Sequence, residues 1–150
     1  MTTNEERLRD HDKSIHLMKE ASGDNAGAFD YLFMIARITR VLDDVFDADR
    51  EVSREDHLEI LEYLFITLPT NSFYATNQDV LLSQHISMFN AWVAANKWEQ
   101  GDELERIYAH VWRDTVHEVF PIVALLTQGH VQMRKVSDMV RTTFKKNLGE

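Results

Sequence analysis

One stretch decides the fold class, AGAFDYLFMIARITRVLDDVFDA at residues 26–48. When its residues are placed about 100° apart on a helical wheel, the large apolar side chains spread over most of the circumference. They are Tyr31, Leu32, Met34, Ile35, Ile38, Val41, Leu42, Val45 and Phe46. A helix that is apolar on so many sides needs neighbours on most of them, so the stretch predicts a central, buried helix.

The same helix carries one narrow polar stripe, which leads into the acidic segment at residues 43–49. The stripe consists of Asp30, Arg37, Arg40, Asp43, Asp44 and Asp47. On a helix that is otherwise buried, such a stripe either reaches solvent through a gap between neighbours or faces a cleft.

The remainder of the chain also predicts helices. With five glycines and two prolines in 150 residues, the chain lacks the turn density of an all-β protein. We expect an all-α fold of five or six mostly antiparallel helices, packed as a bundle in a single domain of residues 1–150. The charged N-terminal helix, within residues 1–22, is expected to dock loosely.

Capping and breaking residues predict where these helices begin and end. Asp24 or Asn25 suits the N-cap of the central helix, and Ser53 with Asp56 suits a capping box for the next. Pro121 lies inside the apolar pattern of the fifth predicted helix. It should kink or divide that helix, because proline lacks the amide donor and crowds the preceding turn.

Charge and composition indicate which kinds of binding partner and location the chain is expected to have. Sixteen basic and twenty-five acidic residues give a net charge of −9, which disfavours nucleic acid and anionic membranes. A basic protein surface, a cation or a small phosphorylated ligand fits better. The absence of cysteine excludes disulfides and thiolate zinc sites, and the longest apolar run, 119–126, is too short to cross a bilayer. We therefore expect a cytoplasmic protein with no membrane association.

The acidic segment has the form Asp-Asp-x-x-Asp at Asp43, Asp44 and Asp47. On a helix these carboxylates converge, and a magnesium ion is one way to offset their repulsion. The spacing resembles the first acidic motif of the helical isoprenoid synthases, in which it binds magnesium. Those enzymes need a longer chain and a second acidic motif, which this sequence lacks.

Two interpretations of the stripe stay open. In the first, Asp30, Asp44 and Asp47 hold Mg²⁺ or Mn²⁺ while Arg37 and Arg40 bind phosphate. In the second, Arg37 forms an ion pair with Asp44, Arg40 forms one with Asp43, Asp44 or Asp47, and no metal or other cofactor is bound.

A second candidate metal site lies on the fifth predicted helix. His110, Asp114 and His117 follow the i, i+4, i+7 spacing that places three side chains on one helix face. The alternative is a solvated polar face, since the wheel places these residues away from the apolar stripe. No complete catalytic constellation is found, and the catalytic residues stay unknown.

Three strings resemble small helical proteins of unassigned role that are encoded by tailed phages and prophages. They are Val41 to Asp49, Asn71 to Tyr74, and Asn90 to Trp92. The resemblance implies an accessory factor that acts inside an infected bacterium, and it brings no mechanism.

The leading functional hypothesis is a non-enzymatic accessory or regulatory protein with an acidic binding surface. That surface would engage a host protein or a small ligand through Arg37, Arg40, Asp43, Asp44, Asp47, Asp49 and Glu51. One alternative is a metal-dependent enzyme that acts on a phosphorylated or nucleotide substrate through the Asp/Arg stripe. Another is a structural subunit of a larger assembly, which includes a homo-oligomer.

Overall fold

A computed structural model describes residues 4–48 and 50–145, in which every regular element is a helix and no strand occurs. Seven continuous helices run through these ranges. They are α1 (Asn4–Ser22), α2 (Ala26–Asp47), α3 (54–70), α4 (Ser72–Thr76), α5 (Gln78–Trp98), α6 (103–128) and α7 (His130–Thr143). The all-α prediction is confirmed.

The predicted number of five or six helices was too low because α4 forms where a loop was expected. The side chain of Asn71 starts this short helix: its Oδ1 accepts the backbone N–H of Tyr74 at 2.8 Å. Its Nδ2 donates to the carbonyl oxygen of Gly27 at 3.0 Å, which ties α4 to the first turn of α2. A capping residue with a tertiary partner thus stabilises a helix that is too short to form by itself.

The chain falls into two compact units, Met1–Thr76 (unit 1) and Asn77–Glu150 (unit 2). The boundary lies between α4 and α5. A single domain over residues 1–150 stays a prediction.

Unit 1 is built around the first four turns of α2. Asn25 is the N-cap, and its side chain accepts the backbone N–H of Ala28 at 2.9 Å. The ring of Tyr31 is fully buried, with centroids 5.8 Å from Phe73 and 6.2 Å from Tyr74. This burial, with a smaller contribution from Tyr74, raises the pKa of Tyr31 far above its ordinary value. The predicted buried centre is therefore confirmed for this part of α2.

The C-terminal half of α1 joins the same core. Its buried residues are Leu17, Met18, Ala21 and Ser22. The helix α1 contacts α2, and the side chains of α1 that the structure describes as buried lie in its last two turns.

The last turn of α2 departs from the prediction of burial on all sides. Val45 is half-exposed and Phe46 is 62% exposed. The helix ends at Ala48, whose φ of +53° lies in the left-handed region. The C-terminal end of α2 is therefore exposed at Val45, Phe46 and Asp47, whereas Asp43 and Asp44 are partly buried.

The third helix, α3, begins at a capping box as predicted. The Ser53 Oγ accepts the Asp56 N–H at 3.0 Å, and Asp56 Oδ2 accepts the Ser53 N–H at 3.4 Å. After the α-helical segment Arg54–Glu62, the backbone widens to a π-helix over Tyr63–Thr67. The Leu68 N–H donates to the carbonyl oxygen of Tyr63, five residues back, and the α-helical turn Leu68–Thr70 follows.

Unit 2 begins with the helical pair α5 and α6. A capping box of Asp102 and Glu105 starts α6. At this end of the pair Trp98 lies 4.6 Å from Trp112 between ring centroids, and Tyr108 completes an aromatic cluster. The guanidinium of Arg113 donates to both carboxylate oxygens of Glu99 at 2.7 and 3.0 Å. The tryptophans therefore serve as packing residues here, with a bidentate ion pair beside them.

Pro121 lies in the sixth helix rather than the fifth, and the irregularity before it is a change of helix type. The backbone tightens to a 3₁₀ segment over Asp114–Glu118, so the Val119 N–H donates to Val116, three residues back. This pairing releases the carbonyl oxygen of Thr115, which accepts Gln84 Nε2 from α5 at 2.9 Å. The freed backbone group is thereby satisfied.

The last part of unit 2 packs α7 on Val119–Gln128 of α6. The buried side chains include Val123 and Ala124 of α6 and Val136 and Val140 of α7. Gly129, with φ of +95°, separates the two helices in a conformation that favours glycine. Within the described ranges no helix has the length and apolar character needed to cross a membrane. A cytoplasmic location stays a prediction.

Candidate functional site

Most of the net charge is concentrated where α2 ends and α3 begins. Residues 43–62, which we call the acidic corner, contain nine acidic and two basic residues, a net −7 of the total −9. The acidic residues are Asp43, Asp44, Asp47, Asp49, Glu51, Glu55, Asp56, Glu59 and Glu62. The corner is therefore the strongest electrostatic feature of the chain.

Arg37 joins the two helices of the corner. Its Nε donates to Glu59 Oε1 at 2.6 Å and its Nη2 donates to Asp56 Oδ1 at 2.8 Å. The hydrogen bond to Glu59 raises the pKa of Arg37, although burial opposes the rise. Arg37 thus pairs across to α3, and its partners differ from Asp44, the neighbour expected on its own helix.

Asp44 is held by the loop after α2. Arg50 Nε donates to Asp44 Oδ2 at 2.7 Å, and Arg50 Nη2 lies 3.9 Å from Asp56 Oδ2. Asp56 therefore lies between two guanidinium groups and also caps α3. Burial alone would raise the pKa of Asp56, but the Ser53 hydrogen bonds and the two arginines lower it overall.

The remaining described residues of the predicted binding set differ in their exposure to solvent. Asp43 is partly buried, and Arg40, Asp47 and Glu51 are exposed. Asp49 lies outside the described residues. Because Arg37 already donates to two carboxylates, a phosphate would have to displace those bonds before both arginines could bind it.

The two predicted metal triplets do not form ligand clusters. Asp30 is exposed, and Asp44 accepts from Arg50. In the other triplet His110 is partly buried, while His117 Nδ1 lies 3.5 Å from Asp114 and the His117 ring stacks on Phe144 at 3.9 Å. Within 4–48 and 50–145 no group of three or more His, Cys, Asp or Glu residues could hold a metal ion. Metal binding by either triplet stays a prediction, for which the structure supplies no assembled ligands.

The sequence interpretation missed an exposed apolar face on α3. Leu58 and Leu61 are half-exposed and Phe65 is 76% exposed, and we call these three residues the apolar ridge. Their spacings of three and four residues place them on one side of the helix. Asp56 and Glu59 contact Arg37 from another side, so the ridge points away from α2.

A separate cavity of about 370 Å³ lies between α6 and α7 in unit 2. Its lining mixes Pro121 and Met133 with the charged residues Glu118, Arg134 and Asp138. It contains none of the residues that the sequence predicts to bind a ligand, a partner or a metal. Its charges of both signs, with no convergent donor or acceptor set, select no ligand class.

Comparison with protein families, with curated proteins and with solved structures finds no match to this chain. The comparisons therefore add no support to the resemblance to small phage and prophage proteins. The functional argument rests on the acidic corner and the apolar ridge.

Proposed function

We propose that the chain is a non-enzymatic binding protein, whose acidic corner and apolar ridge together dock a basic amphipathic helix of a partner protein. The observation that carries the proposal is the presence of three exposed apolar side chains on the helix that supplies four of the nine acidic residues of the corner. On the phage resemblance, the partner would be a host protein and the chain an accessory factor.

The negative charge of the acidic corner favours a partner whose surface is positively charged. A segment with net charge −7 attracts a basic surface, speeds its association and repels acidic competitors. Two of the nearby cationic groups, Arg37 and Arg50, are engaged by carboxylates, so these two do not offer an anion a ready site.

The apolar ridge supplies the contact area that charge alone lacks. Aromatic and aliphatic side chains at helical spacing are the usual anchors when one helix docks on another. Glu62 is exposed and lies on α3 between Leu61 and Phe65 in sequence. A lysine from the bound helix can therefore reach a carboxylate while its leucines cover the ridge.

The ion pairs of Arg37 give the surface a fixed geometry before binding. They join α2 to α3 at 2.6 and 2.8 Å, and the capping box holds the start of α3. A surface that is already ordered loses less conformational entropy when a partner docks.

The test uses two synthetic helical peptides, one of Leu and Lys and one of Leu and Glu, each with its leucines on a single face. We expect fluorescence anisotropy to show binding of the Leu/Lys peptide at least about tenfold tighter than the Leu/Glu peptide at low salt. Phe65→Ser and the double variant Asp47→Lys with Glu62→Lys should each weaken that binding by about tenfold or more.

The matched control reverses two charges in unit 2, Glu103→Lys with Asp138→Lys, which changes the net charge by the same amount. It should retain binding within about threefold, because general attraction depends on net charge whereas docking depends on the corner. Equal losses in both double variants, or equal affinity for the two peptides, would contradict the proposal.

A further inference from the structure

A second exposed apolar face lies on α5, in unit 2. Leu82, Ile86 and Val93 are about half-exposed and Phe89 is 62% exposed. Their successive spacings of four, three and four residues are those of the a and d positions of a heptad. The buried residues Leu81 and Ala95 lie on another side of the helix, so this stripe is additional to the core of unit 2.

The stripe lies in a segment without formal charge. From Val80 to Asn96 the chain contains no Asp, Glu, Lys or Arg, although such residues make up 27% of the sequence. The serines beside the stripe satisfy their hydroxyl groups within the helix: Ser83 donates to the Asp79 carbonyl at 2.9 Å and Ser87 to the Ser83 carbonyl at 3.1 Å. Depletion of charge in an exposed apolar patch is a mark of an interface core.

Opposite charges lie at the two ends of the stripe. Asp79 and Lys97 are both exposed and are separated by eighteen residues, or about five turns of 3.6 residues, so they lie on the same side of α5. A two-fold axis perpendicular to the helix between Ile86 and Phe89 would bring Asp79 of each copy near Lys97 of the other.

We propose that this face binds a second copy of the chain, with the two α5 helices antiparallel. Leu82 then faces Val93 of the second copy and Ile86 faces its Phe89, which gives four apolar layers between two ion pairs. The charge-free centre avoids the repulsion that a net charge of −9 imposes elsewhere on two identical chains. The proposal does not depend on the acidic corner.

Sedimentation equilibrium of the full chain tests this dimer. We expect the wild type to be a dimer with a Kd below about 100 µM, and Phe89→Asp to raise that Kd by about 30-fold or more. Val131→Asp is the matched control, because Val131 is 85% exposed on α7 and lies outside the stripe. A wild type that stays monomeric at that concentration, or a dimer that Phe89→Asp leaves intact, overturns the proposal.

A charge-swap series keeps the test decisive if Phe89→Asp fails to fold. Asp79→Lys and Lys97→Asp are exposed changes that should each weaken the dimer, and the double variant should restore it. Additive weakening in the double variant overturns the proposed pairing.

The absence of native cysteine allows the orientation to be tested directly. In a mixture of the Asp79→Cys and Lys97→Cys chains, the antiparallel arrangement predicts disulfides between unlike chains. Each variant alone should form few, since its two thiols would be about 27 Å apart at 1.5 Å per residue. Preferential linkage of like chains would show a parallel pair and overturn the proposal.

Discussion

Each unit exposes an apolar helix face, but the charges around the two faces differ. The ridge of α3 in unit 1 begins within a segment of net charge −7 and ends three residues beyond it, whereas the stripe of α5 in unit 2 lies in seventeen residues without formal charge. We proposed a basic helix as the partner of the first face and an identical chain as the partner of the second. Where an exposed apolar face is a binding surface, the charge that borders it favours partners of complementary charge.

The two units also differ in how their helices are joined. In unit 1 the ion pairs of Arg37 link α2 to α3 at the acidic corner, and the aromatic packing of Tyr31 lies in the core. In unit 2 the Trp98, Tyr108 and Trp112 cluster lies at one end of a helical pair. Substitutions in each unit can therefore test whether burial or charge contributes more to its stability.

The largest expected effect is the loss of the central ring of unit 1. Tyr31→Ala should lower the free energy of unfolding by about 3–5 kcal/mol, because it removes a fully buried aromatic side chain and leaves a cavity. Urea denaturation followed by far-UV circular dichroism measures the change.

The matched control is Phe65→Ala, which removes an aromatic ring from the exposed ridge of the same unit. We expect it to change the free energy of unfolding by no more than about 0.5 kcal/mol.

All three tryptophans, Trp92, Trp98 and Trp112, lie in unit 2, so their fluorescence reports that unit separately. In Tyr31→Ala, equal shifts of the urea midpoint measured by circular dichroism and by tryptophan fluorescence would support the single-domain prediction. A shift of the circular dichroism midpoint alone would contradict it.

A smaller effect is expected from the ion pairs of the acidic corner. Arg37→Ala should lower the Tm by about 2–4 °C, since it leaves Glu59 and Asp56 without a shared cation. Arg40→Ala, one turn further along and exposed, should leave the Tm nearly unchanged. Differential scanning calorimetry at low and high salt measures both variants, and the difference should shrink as salt screens the pairs. Equal Tm values for the two variants would show that the cross-helix pairing contributes nothing.

The smallest expected effect is a pH dependence of stability that arises from His85 of α5, in unit 2. Burial lowers the pKa of His85 below its ordinary value of 6.5, so the unfolded chain binds its proton more readily than the folded chain. Stability should therefore be fully present above pH 6.5 and should fall as the pH drops from 6.5 through the folded pKa. Denaturant unfolding at several pH values should show this loss, and His85→Gln should reduce it. An unchanged pH dependence in His85→Gln would assign the loss to other groups.

Local chemistry made much of the fold predictable. Asn25, Ser53 and Asp102 each cap the helix that follows, and Gly129 ends α6. Capping depends on a few adjacent residues, so sequence alone carries the signal. The α4 helix was missed because its stability also depends on the hydrogen bond from Asn71 to distant Gly27.

The candidate site was predictable in location but less so in detail. The acidic segment was identified, yet the partners of Arg37 lie on another helix, 19 and 22 residues away. Two apolar stripes also compete on α3, one through Ile60 and one through Leu58 and Leu61. Periodicity shows both stripes, and only the tertiary contacts decide that Ile60 is buried and the others are exposed.

The π-helical segment of α3 accommodates one extra residue in the helix, so that the residues before and after it keep the same buried face. Ile60 and Leu68 are both buried, although eight residues of a regular α-helix would rotate them about 80° apart. The wider turn over Tyr63–Thr67 takes up about one residue, or 100°, and leaves the two side chains within about 20° of each other. Deletion of one residue between Ile60 and Leu68 would leave these core positions seven residues apart, so a regular α-helix would then keep them within about 20° of each other.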